Sequence, residues 1–344
     1  MPRLWKAYTN AVFFLHGKDP KTGRLGPPSG SGVFINAHDP ATESRSHIYA
    51  VTAAHVAKGG HPIIRLNTKD SKSRPLELDA DVDWVGAPWE DIAVADVTDR
   101  FSANDQVATI PSHHLLSPPW MEFFDIGIGE DGFMLGLFTS HAGKNRNMIA
   151  ARFGNVSLLA VEDEPIYHKT EGFQAFKTPC HVFDLHSRPG FSGSPVFVYR
   201  TPEADIRDLD AVQTKRVAVH GRWDRAGGGT RSMYITPDDD GENSFLRLLG
   251  VHVGQFHEKL RLKKVSSTSV EVDDTSIHTG DTVRFPGSMT IVVPAWQILK
   301  LLEENETLRN MRNARNGRSQ AEEDASEGVA VAEAEASAKP VPKG

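Results

Sequence analysis

The segment Arg188-Pro-Gly-Phe-Ser-Gly-Ser-Pro195 sets Ser192 between two glycines, directly before the apolar run Val196-Phe-Val198. A serine hydroxyl attacks a carbonyl when three conditions meet. It must project from a sharply turned loop, backbone N–H groups must converge on the oxygen that becomes negative, and a base must take its proton. Gly190 can turn its amide inward because it has no Cβ to clash. A plain loop-to-strand turn has the same Gly-x-Ser-Gly-x-Pro form, so the chemistry depends on partners. One is His55, in Tyr49-Ala-Val-Thr-Ala-Ala-His-Val56, where an apolar run ends among small residues that leave room for an imidazole. At a strand end one ring nitrogen can take the serine proton while the other donates to a carboxylate. The carboxylate is Asp91, in Trp89-Glu-Asp-Ile-Ala-Val-Ala-Asp-Val97, at the root of an alternating strand. Glu90 falls one residue early and points to the opposite side, and Asp96 lies inside the strand. The pattern is that of acyl transfer, with Ser192 as nucleophile, His55 as base and Asp91 as the group that orients the imidazole.

These residues need a rigid frame, and the chain supplies the pattern of an all-β one. Eleven short apolar or alternating runs, separated by Gly, Pro, Asp and Asn, predict strands at Val12–His16, Gly32–Asn36, His47–Thr52, Pro62–Asn67, Ile92–Val97, Phe133–Phe138, Met148–Ser157, Val182–Leu185, Pro195–Tyr199, Leu246–Val253 and Met289–Val293. Strands without intervening helices predict a sandwich or barrel. The polar stretch from Arg200 to Asn243, with Gly227-Gly-Gly229 and Asp238-Asp-Asp240, reads as a surface excursion between two strands. After Pro294 the spacing of Trp296, Ile298, Leu299, Leu301 and Leu302 becomes helical. From residue 309 the chain turns to Arg309, Arg312, Arg315 and Arg318, then to an Ala- and Glu-rich segment, and is expected to be a disordered, charged, solvated tail.

Five segments in this order resemble the trypsin-like, chymotrypsin-fold serine peptidases, in particular the bacterial, disulfide-free branch related to glutamyl endopeptidases. They are Gly30-Ser-Gly-Val-Phe-Ile35, Thr52-Ala-Ala-His-Val56, Asp91-Ile-Ala-Val94, Gly190-Phe-Ser-Gly-Ser-Pro195 and Gly250-Val-His-Val-Gly254, within a similarity running from Tyr8 to Leu302. The resemblance implies two packed six-stranded antiparallel β-barrels, the first over 8–115 with His55 and Asp91, the second over 116–293 with Ser192 and an insertion at 200–243. A helix over 294–308 and the tail 309–344 would follow. It also implies an oxyanion hole from the amides of Gly190 and Ser192, and a strand edge at Val253 and Gly254 for a peptide substrate. A specificity pocket would involve His252 with His186 and Ser187, cationic or hydrogen-bonding and so suited to Glu or Asp. The sequence departs from the family at Phe191, where many secreted members have an aspartate that receives a freed amino terminus; activation by such a switch is not expected.

Composition narrows the alternatives. With 344 residues, 39% of them hydrophobic, the chain can bury a large core, and a net charge of −7 provides no basic field for nucleic acid or anionic lipid. With a single cysteine, Cys180, no intrachain disulfide can form and no cysteine-based zinc site can be assembled, and a reducing compartment is the expected setting. The run at the amino terminus is too short for a signal peptide or a membrane span, so a cytoplasmic location is expected. No phosphate loop, His-Glu-x-x-His helix or calcium loop is present, and neither metal nor cofactor is expected. His113-His114 reads as an exposed loop, and Gly132-Phe-Met-Leu-Gly136 as an early strand of the second barrel. The expected partner is a protein or peptide substrate, with the tail as a candidate contact for an activating or regulatory protein. The competing reading is a catalytically silent domain of the same fold that binds peptides or acts as a scaffold. An esterase of the α/β-hydrolase kind is disfavoured by the order His, Asp, Ser.

Overall fold

A computed structural model of the chain describes residues 4, 6–38, 46–170, 172–185, 187–200, 245–261 and 282–317. His186, the excursion from residue 201 onward and the tail beyond residue 317 therefore lie outside the described residues. The first half contains β1 (Val12–Lys18), β2 (Leu25–His38), β3 (Ser46–Thr52), β4 (Ile63–Asn67), β5 (Ser73–Leu76), β6 (Val85–Gly86), β7 (Ala93–Asp96) and β8 (Ile110–Pro111). The second contains β9 (Asp131–Leu137), β10 (Ile149–Leu158), β11 (Ile166–Lys169), β12 (Ala175–Thr178), β13 (His181–Asp184), β14 (Pro195–Arg200), β15 (Phe245–Arg261) and β16 (Thr282–Pro294). Each of the eleven expected strands is present, and the additional ones are mostly short.

The second half closes into a six-stranded barrel in the order β10-β13-β16-β15-β14-β9. The first half differs from the expected closed barrel. Its strands run β5-β4-β1-β2-β3-β7-β6, with β8 alongside β2, and the two end strands do not pair among the described residues. The reason is local. β5 has four residues and β6 two, and the chain between them is held in a turn in which Asp79 Oδ1 accepts hydrogen bonds from the Asp81 and Val82 amides at 2.8 and 3.0 Å. Backbone committed to such a turn is lost to a ladder.

β1 is buried from Val12 to Gly17, and β9 from Gly132 to Leu137. Strands covered on both faces read as continuous apolar runs, which is why these two were legible without alternation. The larger apolar cluster extends from Phe13, Phe34 and Tyr49 of the first half to Phe133, Phe197 and Val251 of the barrel, so the halves share a core. A smaller cluster, with Met134, Phe183, Val196, Leu249 and Phe191, belongs to the barrel.

The expected helix occupies Trp296–Glu304 and buries Ile298, Leu301 and Leu302. The expectation of a disordered chain from residue 309 needs correction, because a second helix covers 306–317. Asn305 caps it, its Oδ1 accepting from the Leu308 amide at 3.0 Å. Arg312 donates to Leu302 O at 2.7 Å, and Arg315 reaches Asp96 Oδ2 at 2.8 Å and Asp99 Oδ2 at 3.0 Å. Arg315 thus anchors the helix to the strand that follows Asp91, while Arg312 ties it to the preceding helix and, through the Tyr49 hydroxyl, to β3. Among the described residues no helix is long and apolar enough to cross a membrane.

Candidate active site

His55 sits in a short helix, Ala54–Ala57, at the end of β3. Both oxygens of Asp91 are committed to it. Oδ1 accepts from the His55 amide at 2.9 Å and Oδ2 contacts Nδ1 at 2.6 Å. With Asp91 ionised, Nδ1 carries the hydrogen, so the lone pair of the neutral ring is on Nε2. That nitrogen has no protein partner among the described residues. The Asp91 side chain is 2% exposed and that of His55 10%, so the carboxylate is shielded from water while the ring still meets it.

The Asp91 loop is held from three sides. Trp89 Nε1 donates to Gln297 Oε1 at 3.0 Å, with the Lys300 ammonium 4.6 Å from the centre of the Trp89 ring. Glu90 is fully buried and, like Asp91, lies in the bend before β7, so its contacts and not strand alternation set its direction. Its Oε1 accepts from the Asp91 amide at 2.9 Å and contacts His168 Nε2 at 3.1 Å, and its Oε2 accepts from Thr178 Oγ1 at 2.5 Å. His168 and Thr178 belong to β11 and β12, a separate two-stranded hairpin that also brings Phe173 within 6.3 Å of the His55 ring, centre to centre. Asp96, the other carboxylate weighed for the role, pairs with Arg315.

Ser192 lies in a loop shaped by two left-handed glycines, Gly190 at φ 99° and Gly193 at φ 85°. A Cβ on Gly193 would also meet Ser31 O at 2.0 Å and Thr52 Oγ1 at 2.2 Å, so only glycine fits there. The loop is tied to the first half through Ser31, fully buried in β2. Its amide donates to Ser192 O at 2.8 Å, its hydroxyl donates to Gly190 O at 2.9 Å, and that hydroxyl accepts from the Leu137 amide at 2.8 Å. Thr52 Oγ1 in turn donates to Ser31 O at 2.6 Å. A Cβ on Gly30 would meet both Val56 Cγ1, at 2.5 Å, and Ser192 O, at 3.2 Å, so the His55 turn and the serine loop flank one glycine.

Within the serine loop the amide of Phe191 is satisfied by Arg188 O at 3.2 Å, whereas those of Gly190 and Ser192 donate to no protein acceptor among the described residues. Phe191 is fully buried in the barrel's smaller cluster, with the Arg152 guanidinium 5.9 Å from its ring centre. An aspartate at this position would need a charged partner; the phenyl ring holds the loop by packing.

Of the expected specificity residues, Ser187 and His252 come together and His186 lies outside the described residues. Ser187 Oγ and His252 Nε2 are 2.5 Å apart, and Nδ1 of His252 accepts from the Gly254 amide at 3.2 Å. Burial lowers the His252 imidazole to about 4, with nearby His55 also disfavouring charge. The cationic form of the expected pocket is therefore not supported. Nδ1 also lies 3.4 Å from Ile291 O, but the Gly254 amide is the shorter contact; a neutral ring that accepts there donates from Nε2 to Ser187 Oγ, which leaves the Ser187 proton to be given elsewhere. Val253 is buried, and Gly254 lies at a bulge in the β15–β16 pairing.

No protein-family model matches the chain, and no curated protein matches it. Among solved structures, the Rv3671c protease of M. tuberculosis in its active form aligns at 13% identity and a TM-score of 0.40, over 86% of this chain and 81% of that chain. Its inactive form aligns at 13% identity and a TM-score of 0.35, over 86% of this chain and 89% of that chain. Likenesses this distant decide nothing about the chemistry of the site.

Sequence reading passed over Ser31, His168, Phe173 and Thr178 as functional candidates and weighed Glu90 only as a rival to Asp91. Ser31 was visible only as the middle residue of Gly30-Ser-Gly32. His168 and Thr178 lie in four-residue strands without a strong pattern.

Proposed function

We propose that this protein is a serine endopeptidase of the trypsin-like kind, working through Ser192, His55 and Asp91. The observation that carries this reading is the buried Asp91 carboxylate. It spends both oxygens on His55, fixing the tautomer and leaving Nε2 as the basic nitrogen. A binding module has no need of a carboxylate placed this way.

Ser192 Oγ attacks the substrate carbonyl as its proton passes to His55 Nε2, and Asp91 stabilises the imidazolium that forms. The amides of Gly190 and Ser192 receive the oxyanion. His55 then returns the proton to the leaving amine, and water, deprotonated by the same nitrogen, releases the acyl group from Ser192. The substrate backbone runs along Val253 and Gly254 as an added strand. The Ser187 hydroxyl, backed by neutral His252, offers a hydrogen bond to the side chain before the scissile bond, which suits Glu or Asp. Phe191 makes the nucleophile loop independent of a freed amino terminus.

Labelling with a fluorescent fluorophosphonate, which bonds to an activated serine, tests the reading. Wild type should label and Ser192→Ala should not, and turnover of a reactive peptide ester should fall by several orders of magnitude in the variant. A wild-type protein that neither labels nor turns over the ester would favour the silent peptide-binding reading. Cleavage of a peptide library only after aliphatic or basic residues would remove the acidic specificity and leave the nucleophile standing.

A further inference from the structure

The chain's single cysteine is drawn into a cluster with a histidine and a carboxylate from two other segments. Glu90, His168 and Cys180 are all buried, and one donor atom from each lies within 4.8 Å of the other two. The Glu90 carboxylate is 3.1 Å from His168 Nε2, and the Thr178 hydroxyl lies 2.5 Å from Glu90 Oε2 and 3.7 Å from Cys180 Sγ. Thiolate, imidazole and carboxylate form a donor set of zinc chemistry; calcium and magnesium prefer oxygen alone. Zinc bonds of about 2.0–2.3 Å put neighbouring donors roughly 3.3–3.8 Å apart. The Glu90–His168 separation of 3.1 Å lies just under that spacing, and the Cys180 sulfur is within 4.8 Å of both other donors.

Two further features favour a cation here. Glu90 and Asp91 are consecutive carboxyl groups, 0% and 1% exposed, and buried negative charge is costly unless matched. Among the described residues the β11–β12 hairpin pairs with no other strand, and a two-stranded ribbon is marginal by itself. All three donors lie where this hairpin meets the Asp91 loop.

Although the sequence led to the expectation of no metal and no cysteine-based zinc site, we propose that Glu90, His168 and Cys180 form a zinc site that fastens the hairpin to the root of the Asp91 strand. Ion uptake replaces the Glu90–His168 hydrogen bond. His168 takes the tautomer with hydrogen on Nδ1 and offers the Nε2 lone pair, and the Cys180 thiol loses its proton to solvent. Thr178 is placed to occupy the fourth position or to hydrogen-bond the Glu90 carboxylate. Because the donors are enclosed, the ion enters as the hairpin docks during folding. The site does not depend on Ser192 being active.

The test is metal content of full-length protein produced in zinc-supplemented medium, with cobalt substitution as a second readout. Wild type should retain about one zinc per chain through gel filtration, as a structural site does, and Cys180→Ser and His168→Gln should each lose it. The cobalt form should show a thiolate-to-cobalt charge-transfer band; with only one cysteine in the chain, that band reports Cys180 even if a variant fails to fold. Wild-type protein with no zinc and no such band would overturn the proposal and leave a hydrogen-bonded clamp. Undiminished zinc in Cys180→Ser would overturn it too.

Discussion

The backbone amide of Ser31 donates a 2.8 Å hydrogen bond to the carbonyl of Ser192. With the Ser31 hydroxyl on Gly190 O, this makes one buried β2 residue the tether of the proposed nucleophile loop. Ser31→Ala keeps the amide contact and removes the hydroxyl, leaving the Leu137 amide and Gly190 carbonyl unpaired at that point. Unpaired buried polar groups cost about 1–3 kcal/mol each, so denaturant unfolding should show a loss on the order of 2 kcal/mol or more. Turnover should fall more than substrate binding, because a loosened Gly190 carbonyl frees the Gly190–Phe191 peptide plane, which lies between the Gly190 and Ser192 amides proposed to receive the oxyanion. An unchanged kcat with a raised KM would contradict this division.

Phe191 gives the second prediction. Its ring is fully buried among Met134, Val196 and Leu249, and replacing such a ring with alanine costs about 3–5 kcal/mol. Phe191→Ala should therefore unfold at markedly lower urea concentration and lose activity even where it is still folded. Extending the amino terminus with a short tag should leave the rate of wild type unchanged. A protein whose activity depends on a free amino terminus would refute the packing account.

Where the sequence was legible, a strong local pattern and the tertiary result agreed. Val12–Leu15 and Phe133–Leu137 are continuous apolar runs because they are buried on both faces, and their composition announces it. Glu90, Asp91 and Asp96 reach three different partners, although the expected strand alternation does not set the first two apart, since both lie in the bend before β7 and only Asp96 is on the strand. What failed to show was set by contacts distant in sequence. Arg312 and Arg315 look solvated until Tyr49 and Asp96 are placed beside them. His168 and Cys180 carry no motif, since their partner Glu90 is 78 residues from His168. The open first sheet was missed because β5 and β6 are too short to have a period.

The Arg315 contact provides the third prediction. Burial would raise the Asp96 carboxyl, but hydrogen bonds from Arg315 and Thr98 outweigh it and hold the group below its usual range. Arg315→Ala leaves a carboxylate that is 5% exposed without its cation, and charged hydrogen bonds of this kind are worth about 1.5–3 kcal/mol. Thermal unfolding should report a loss of that order, and a chain ending after Glu304 should lose at least as much. Because Asp96 ends the strand that follows Asp91, protection of the 92–97 amides from hydrogen exchange should fall in both. A variant as stable and as protected as wild type would show that helix 306–317 is not held to β7.

The last prediction concerns acid. His252 is 3% exposed, and burial lowers its pKa to about 4, against about 6.5 for an unfolded chain. Between those values the unfolded state binds a proton that the native state refuses, so the stabilisation is complete above pH ~6.5 and is lost as pH falls toward ~4. At about 1.4 kcal/mol per pH unit the whole window amounts to roughly 3 kcal/mol. His181, lowered by burial to about 3, and His16, His47 and His61, lowered by burial too, contribute to the same acid limb, so its presence alone does not identify His252. The comparison that does is the slope of unfolding free energy against pH in His252→Gln, which should be less steep than wild type by close to one proton between pH ~6 and ~5. Equal slopes would mean that the folded protein protonates His252 as readily as the unfolded chain. The ring would then be charged beside Ser187, restoring the cationic pocket that burial argues against.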